Sequence, residues 1–341
     1  MNDGGSEPVS DGGSGMAPDD LILPFQLGTN AASGRLVRLG SAVQSVVEAH
    51  DYPDAVAHLL ADAQAVAGLL AGILKFEGVL TVQTKGDGPV KILVVDVTND
   101  GAMRGYAQFD AEAIVRAAAS ATGPQQMVPK LIGNGVMAIT VDQGADTQRY
   151  QGIVPLEGAT LADCAHNYLR QSVQLEAVIK LASERVSGPD GRPRWRSGGL
   201  LLQRMVDNGT QWQSGDPRDP DLEEAWRRAV ILLGSCTSAE LLDPALHPND
   251  LLYRLFNEDG VRVFEASPLA MRCRCSRERV AGVLKSFPRS EIEKMKEGDD
   301  VVVACEFCNS GYRFDPDSIE ALYANAADSD PTNWRDGPAI S

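Results

Sequence analysis

Apolar residues run or alternate at strand spacing over Leu21 to Leu27 and Gly34 to Leu39, and the spacing turns helical at Val43, Val46 and Val47. The chain opens as strand and then as helix over Ser41 to His50. Pro53 suits a first helical position after Asp51, and Val56, Leu59, Leu60, Ala63, Val66, Ala67 and Leu70 share one face as far as Lys75. That pattern predicts the central helix of a core. Its apolar stretch, Ala65 to Leu74, has about half the length a bilayer needs and holds Gly68 and Gly72, so it predicts a buried helix and no membrane span.

From Val79 to Phe109 short β runs, Val79 to Gln83, Val90 to Val97 and Met103 to Phe109, are separated by Gly86-Asp87-Gly88 and Asn99-Asp100-Gly101. This predicts an antiparallel meander. A helix over Asp110 to Ala119, strands over Val136 to Val141 and Gln148 to Val154, a helix over Leu161 to Gln171, and a hairpin turning at Gly188-Pro189-Asp190-Gly191 complete the region. Strands and helices do not alternate strictly, so the class expected is α+β.

The polar stretch Asp207 to Leu222 reads as a surface loop and a boundary. Beyond it Asp221 caps a helix through Leu233, Thr237 with Glu240 makes a capping box, and Asn249 caps Asp250 to Phe256, which Gly260 stops. Three helices thus connect the α+β region to a cysteine-rich end. The first twenty residues carry neither an apolar nor a basic leader segment and, like Ala326 to Ser341, read as a small, polar, disordered tail.

Composition narrows the function. With 43% hydrophobic residues in 341, the chain can bury a sizeable core, and no collagen or heptad period is present. A net charge of −16 repels phosphate backbones and anionic lipid, so neither nucleic acid nor a membrane is an expected partner. The six cysteines are too few and too uneven for a secreted disulfide scaffold and imply a reducing cytoplasm.

Four of these cysteines carry the chemistry. Cys273-Arg274-Cys275 and Cys305-Glu306-Phe307-Cys308 present two tight pairs of soft ligands that can converge on one tetrahedral Cys₄ zinc centre per chain. Ser276 caps a helix to Ser286, Ser290 with Glu293 makes a further capping box, Val301 to Ala304 and Tyr312 to Phe314 are strands, and Asp315-Pro316 starts a last helix through Tyr323. So few apolar side chains leave the metal to supply much of the folding free energy, on the order of 10 kcal/mol or more. An inert zinc ribbon is one reading. Oxidation of either close pair to a local disulfide, ejecting zinc, is another, and Arg272, Arg274, Arg277 and Arg279 either favour thiolate or form a solvated helix face.

The segment Cys273-Arg274-Cys275-Ser276-Arg277-Glu278-Arg279 with Cys305-Glu306-Phe307-Cys308 resembles the redox switch of the bacterial heat-shock holdase family of the thirty-three-kilodalton chaperonin. Leu36-Val37-Arg38-Leu39, His50-Asp51-Tyr52-Pro53, Leu74-Lys75-Phe76-Glu77-Gly78, Arg104-Gly105-Tyr106-Ala107, Tyr168-Leu169-Arg170-Gln171-Ser172 and Gly198-Gly199-Leu200-Leu201-Leu202-Gln203 resemble that family too. The likeness runs from about residue 21 to residue 325 and omits only the tails. It implies a non-enzymatic, ATP-independent chaperone, inactive while reduced and zinc-bound. Oxidation to Cys273–Cys275 and Cys305–Cys308 disulfides would activate it to bind unfolded clients, and it would dimerise when oxidised. The implied organisation is a tail at 1–20, an α+β core at 21–219, a helical linker at 220–268, a zinc domain at 269–325 and a tail at 326–341.

Such a switch has its own physics. Zinc loss removes the main stabilisation of residues 269–325, and linker helices packed against that domain lose a partner. Leu232, Leu233, Leu241, Leu251, Leu252, Leu255 and Phe256 then form an exposed apolar patch able to bind other unfolded chains.

Other constellations carry less. Cys164 and His166 point to different faces of one helix, Cys236 reads as a small buried hydrophobe, and Gly133-Asn134-Gly135 lacks the context of a dinucleotide loop. His50, His58 and His247 have no partners at ligand spacing. The rival from another class is a zinc-ribbon binding module attached to an unrelated α+β domain, against which the mixed charges of residues 273–313 count. A constitutive thiol oxidoreductase would need its Cys-x-x-Cys to open a helix, whereas Cys305 to Cys308 falls between strands.

Overall fold

The computed structural model describes residues 18–29, 31–119, 127–144, 149–188, 190–205 and 220–324. Most of the expected first tail, all of the second, most of the expected loop 207–222 and Pro189 of the expected hairpin turn lie outside them. The described residues divide into two compact units, one ending at Met271 and the other starting at Arg272.

In the first unit, β1 (Leu21–Leu27) and β2 (Ala32–Leu39) lead into α1 (Ser41–Glu48) and the long α2 (Asp54–Ile73). The meander follows as β3 (Val79–Gly86), β4 (Val90–Thr98) and β5 (Ala102–Phe109), turning where glycine and asparagine predict. Then come α3 (Ala111–Ala119), β6 (Gly135–Asp142), β7 (Tyr150–Pro155), α4 (Leu161–Tyr168) and the hairpin of β8 (Ala177–Ser187) with β9 (Pro193–Arg204). Helices α5 (Pro220–Ser235), α6 (Ser238–Leu242) and α7 (Pro248–Phe256) precede three short strands, β10 (Val261–Val263), β11 (Ser267–Pro268) and β12 (Ala270–Met271). The class is α+β, as the pattern predicts.

One sheet has the order β10-β1-β2-β9-β8, with β11 also on β1, and the other β12-β5-β4-β3-β6-β7. Helix α2 lies between them, packed on β2 and β9 of the first and on β3, β4 and β5 of the second. This is why it is buried all round rather than on one face: Leu59, Leu60, Leu69 and Leu70 are enclosed, each contributing about 1.5–3 kcal/mol. By length and composition α2 alone among the described residues could cross a membrane. Its place between two sheets makes it a core helix. On β9, Gly198 faces Leu241 of α6 and Gly199 faces Leu69 of α2, and a Cβ at either would come within 3.0 Å of that leucine. Glycine here lets helices close on both faces of one strand.

The structure departs from expectation at several places. Asp20, assigned to the tail, caps α1 by accepting from the backbone N–H of Gly40 at 2.8 Å and Ala42 at 3.0 Å. Helix α7 is capped by His247, whose Nδ1 accepts from Asn249 N at 3.1 Å, because Pro248 takes the first helical position. Residues 220–268 are not helical throughout, since β10 and β11 pair with β1, and β12, at the start of the expected zinc domain, pairs parallel with β5. Lastly, α5 to α7 find cover within their own unit. Leu233, Leu241, Leu251, Leu252 and Phe256 are buried with Leu21, Phe25, Leu36, Leu200 and Leu202, and Leu232 and Leu255 pack on the same cluster half-buried.

The second unit holds α8 (Arg277–Lys285), α9 (Arg289–Lys294), the three-stranded sheet β13 (Lys296–Glu297), β14 (Asp300–Ala304) and β15 (Gly311–Phe314), and α10 (Pro316–Ala324). Its apolar core is five buried side chains, Leu284, Ile292, Val301, Phe314 and Ile319. The expected Ser290–Glu293 box does not form. Pro288, extended at ψ 145°, starts α9 earlier, which puts both residues inside the helix and leaves Glu293 to pair with Lys296 at 2.8 Å.

Candidate metal centre

Each cysteine pair is positioned by neighbours in the chain. Cys273 and Cys275 lie just before Ser276, whose hydroxyl accepts from Arg279 N at 3.3 Å and fixes the start of α8. Cys305 and Cys308 occupy the turn between β14 and β15, whose register pairs Ala304 with Gly311. The turn closes through Asn309 N to Cys305 O at 2.7 Å and Cys305 N to Ser310 O at 3.0 Å. Asn309 takes the left-handed φ of 56° that this turn needs and that asparagine tolerates.

The two turns bring all four sulfurs within 4.8 Å of one another. Cys273 Sγ is 3.7 Å from Cys305 Sγ, and Cys275 Sγ is 3.4 Å from Cys308 Sγ. A tetrahedral S₄ site with metal–sulfur bonds of ~2.3 Å separates its sulfurs by about 3.8 Å, so the donor set and its spacing fit a single metal ion. Among the described residues no other group of three or more His, Cys, Asp or Glu is so arranged.

Three of the thiols are shifted, and not all in one direction. Burial pushes Cys275 up to about 12 and raises Cys305. Burial acts the same way on Cys308, but hydrogen bonds with Ser310 outweigh it and bring this thiol down to about 7. The Tyr312 hydroxyl donates to Cys275 Sγ at 3.1 Å. Tyr312 and Ser310 were not singled out from the sequence, although alternation along β15 places Tyr312 on the face of buried Phe314. Of the basic cluster, read either as favouring thiolate or as a solvated helix face, Arg277 and Arg279 have partners in the backbone and in a ring. Arg277 donates to the Arg313 carbonyl at 2.6 Å and lies over the Phe314 ring at 4.3 Å, while Arg279 donates to the Arg274 carbonyl.

The remaining candidates fall elsewhere. Cys164 and Cys236 are fully buried, and burial pushes them up to about 12 and about 11. His58 Nδ1 lies 3.6 Å from Asp62 on α2, and His247 is a helix cap. The seven leucine and phenylalanine positions considered for client contact, Leu232, Leu233, Leu241, Leu251, Leu252, Leu255 and Phe256, lie in or against the apolar cluster of the first unit and form no exposed patch here.

Comparison with known proteins bears on both units. The family described as Hsp33 protein matches residues 20–315. A 33 kDa chaperonin of Caulobacter vibrioides is 42% identical over 299 residues, covering 87% of this chain and 95% of that protein. That of Ectopseudomonas mendocina is 37% identical over 319 residues, covering 93% and 99%. The crystal structure of the 33 kDa chaperonin (Heat shock protein 33 homolog) from Thermotoga maritima shares the fold at a TM-score of 0.70 and 21% identity, over 92% of this chain and all of that one.

Proposed function

This chain belongs to the Hsp33 family, and from that premise we propose that it is a redox-regulated, ATP-independent chaperone that binds unfolded clients, with zinc as the metal of its four cysteines. The observation that carries the reading is the pairing of an S₄ cluster with a unit whose own apolar core is five side chains. Bound zinc would hold the four thiolates and supply folding free energy that this core lacks. The family match spans both units, which sets aside the rival of a zinc ribbon attached to an unrelated α+β domain.

Oxidation converts Cys273 with Cys275, and Cys305 with Cys308, to disulfides. Each zinc-bound thiolate pair gives up two electrons to hydrogen peroxide, which takes two protons from solvent and leaves as two waters. Disulfide sulfurs no longer hold zinc, and residues from 272 onward lose their main restraint. Activation then requires residues 220–256 to lift from the first sheet, which would uncover two apolar faces together: the undersides of α5 to α7, with Leu233, Leu251 and Phe256, and the sheet surface of Leu36, Leu200 and Leu202. The surplus of acidic charge favours solubility of a client-loaded complex. Within this reading the core extends over 21–219, the linker over 220–268 and the zinc domain over 269–325; the oxidised form is a homodimer, and the reducing cytoplasm is where the thiols are maintained.

The test is light scattering of a chemically unfolded client at stoichiometric chaperone without ATP, with zinc release followed on the same samples. Suppression by the peroxide-treated protein and little by the reduced protein is expected. Equal suppression by both would make the centre purely structural, and suppression by neither would end the chaperone reading.

A further inference from the structure

Two arginines are buried beneath the connection between α6 and α7. Arg38 of β2 is 1% exposed and Arg196 of β9 is 7% exposed, on a sheet face that is otherwise apolar at this place. Arg38 donates from Nη1 to the Leu246 carbonyl at 2.5 Å and from Nη2 to the Asp243 carbonyl. Arg196 donates from Nε to the Leu242 carbonyl at 2.8 Å. These carbonyls belong to the end of α6 and the segment after it, where helix geometry leaves acceptors without partners.

Asp19 completes the cluster from the other side. Its carboxylate accepts from Arg196 Nη2 at 2.5 Å and lies 3.3 Å from Arg38 Nε, close enough for charge pairing though not aligned as a hydrogen bond. Asp243 adds a second favourable charge for Arg38. The start of β1, two adjacent sheet strands and the α6–α7 connection are therefore tied at one buried point. Apolar side chains of similar size would serve permanent closure at least as well, because burying charge is costly. A charged tie behaves differently on opening: its guanidiniums and carbonyls return to water, so the open state carries little penalty there, whereas the closed state demands every partner at once.

We propose that Asp19, Arg38 and Arg196 form a clamp that holds residues 238–256 on the first sheet and sets how easily this segment is released. The link from release to client binding rests on the function proposed above; the clamp itself does not.

The test is Asp19→Asn in the full chain, reduced and zinc-loaded, which leaves two buried guanidiniums short of a counter-charge. Hydrogen exchange of backbone amides in 238–256 should quicken at least roughly tenfold, while amides of α2 and α8 keep their protection and zinc content is unchanged. The variant should also begin to suppress aggregation at a lower dose of hydrogen peroxide than the parent. Parent-like exchange in 238–256, or equal quickening in α2, would overturn the clamp, as would faster exchange with an unchanged peroxide dose in a parent that is active when oxidised. If Asp19→Asn does not fold, Arg196→Lys gives the same readout, since lysine keeps the charge but cannot reach Leu242 and Asp19 as a fork. An oxidised parent that suppresses no aggregation would sink the chaperone reading and leave the exchange result standing.

Discussion

The Tyr312 hydroxyl donates to Cys275 Sγ across 3.1 Å, so one sulfur of the cluster is held by a side chain that is not itself a ligand. Such outer contacts orient a thiolate and draw off electron density. Tyr312→Phe keeps the ring and removes only this bond, worth about 1 kcal/mol. Zinc release by hydrogen peroxide, followed with a chromogenic chelator, should become roughly fivefold faster, and a parent-like rate would show that the contact does not restrain Cys275.

Cys308→Ser replaces one of four soft donors by a hydroxyl. Metal analysis of the reduced variant should show zinc largely lost, and amides of β14 and β15 should lose protection because the five-residue core of the second unit cannot hold the fold alone. A variant that binds zinc as tightly as the parent would exclude the four-cysteine centre.

Peptide mapping after oxidation should find Cys273 joined to Cys275 and Cys305 to Cys308. Sulfur positions do not single out this pairing, since Cys273 approaches Cys305 and Cys275 approaches Cys308 just as a shared metal requires. Dominant Cys273–Cys305 linkage would mean that oxidation proceeds while the cluster is still assembled.

Cys164 and Cys236 should stay thiols and resist alkylation in the native state. Burial pushes them up to about 12 and about 11, from an ordinary value of 9.0. Above pH 9 the unfolded chain releases these protons and the native chain keeps them, so native stability falls as pH rises from about 9 to about 11. Cys164→Ala should flatten the slope of denaturant stability over that range by up to about 1.4 kcal/mol per pH unit. An unchanged slope would mean that Cys164 ionises alike in both states.

Phe256 is fully buried and stacks on Phe25 with ring centroids 5.8 Å apart. Phe256→Ala should cost about 3–5 kcal/mol in denaturant titration. It should also lower the peroxide dose for aggregation suppression, because it weakens the cover on the first sheet. Loss of suppression at full oxidation would instead mark Phe256 as a client contact.

Much of this protein is written locally. Thr237 with Glu240 closes the expected capping box, Asp315 starts α10 by accepting from Ser318 N, and the Gly- and Asn-bearing turns of the meander fall where their residues predict. The same holds for each half of the metal centre, because Cys-x-Cys and Cys-x-x-Cys spacing makes each pair close whatever surrounds it, while the meeting of the two pairs is tertiary. What the sequence by itself determined is thus the physics of near neighbours: turns, caps, amphipathic spacing and paired thiols. Tertiary structure alone decided what lies far apart in the chain. It buried α2 between two sheets, wove residues 261–271 back into both, laid α5 to α7 over the first, and brought Asp19 to Arg38 and Arg196. Spacing predicts that α2 is buried but not what covers it, and it predicts none of the rest, since which apolar face covers which, and which charge meets which, depends on the packing of the whole unit.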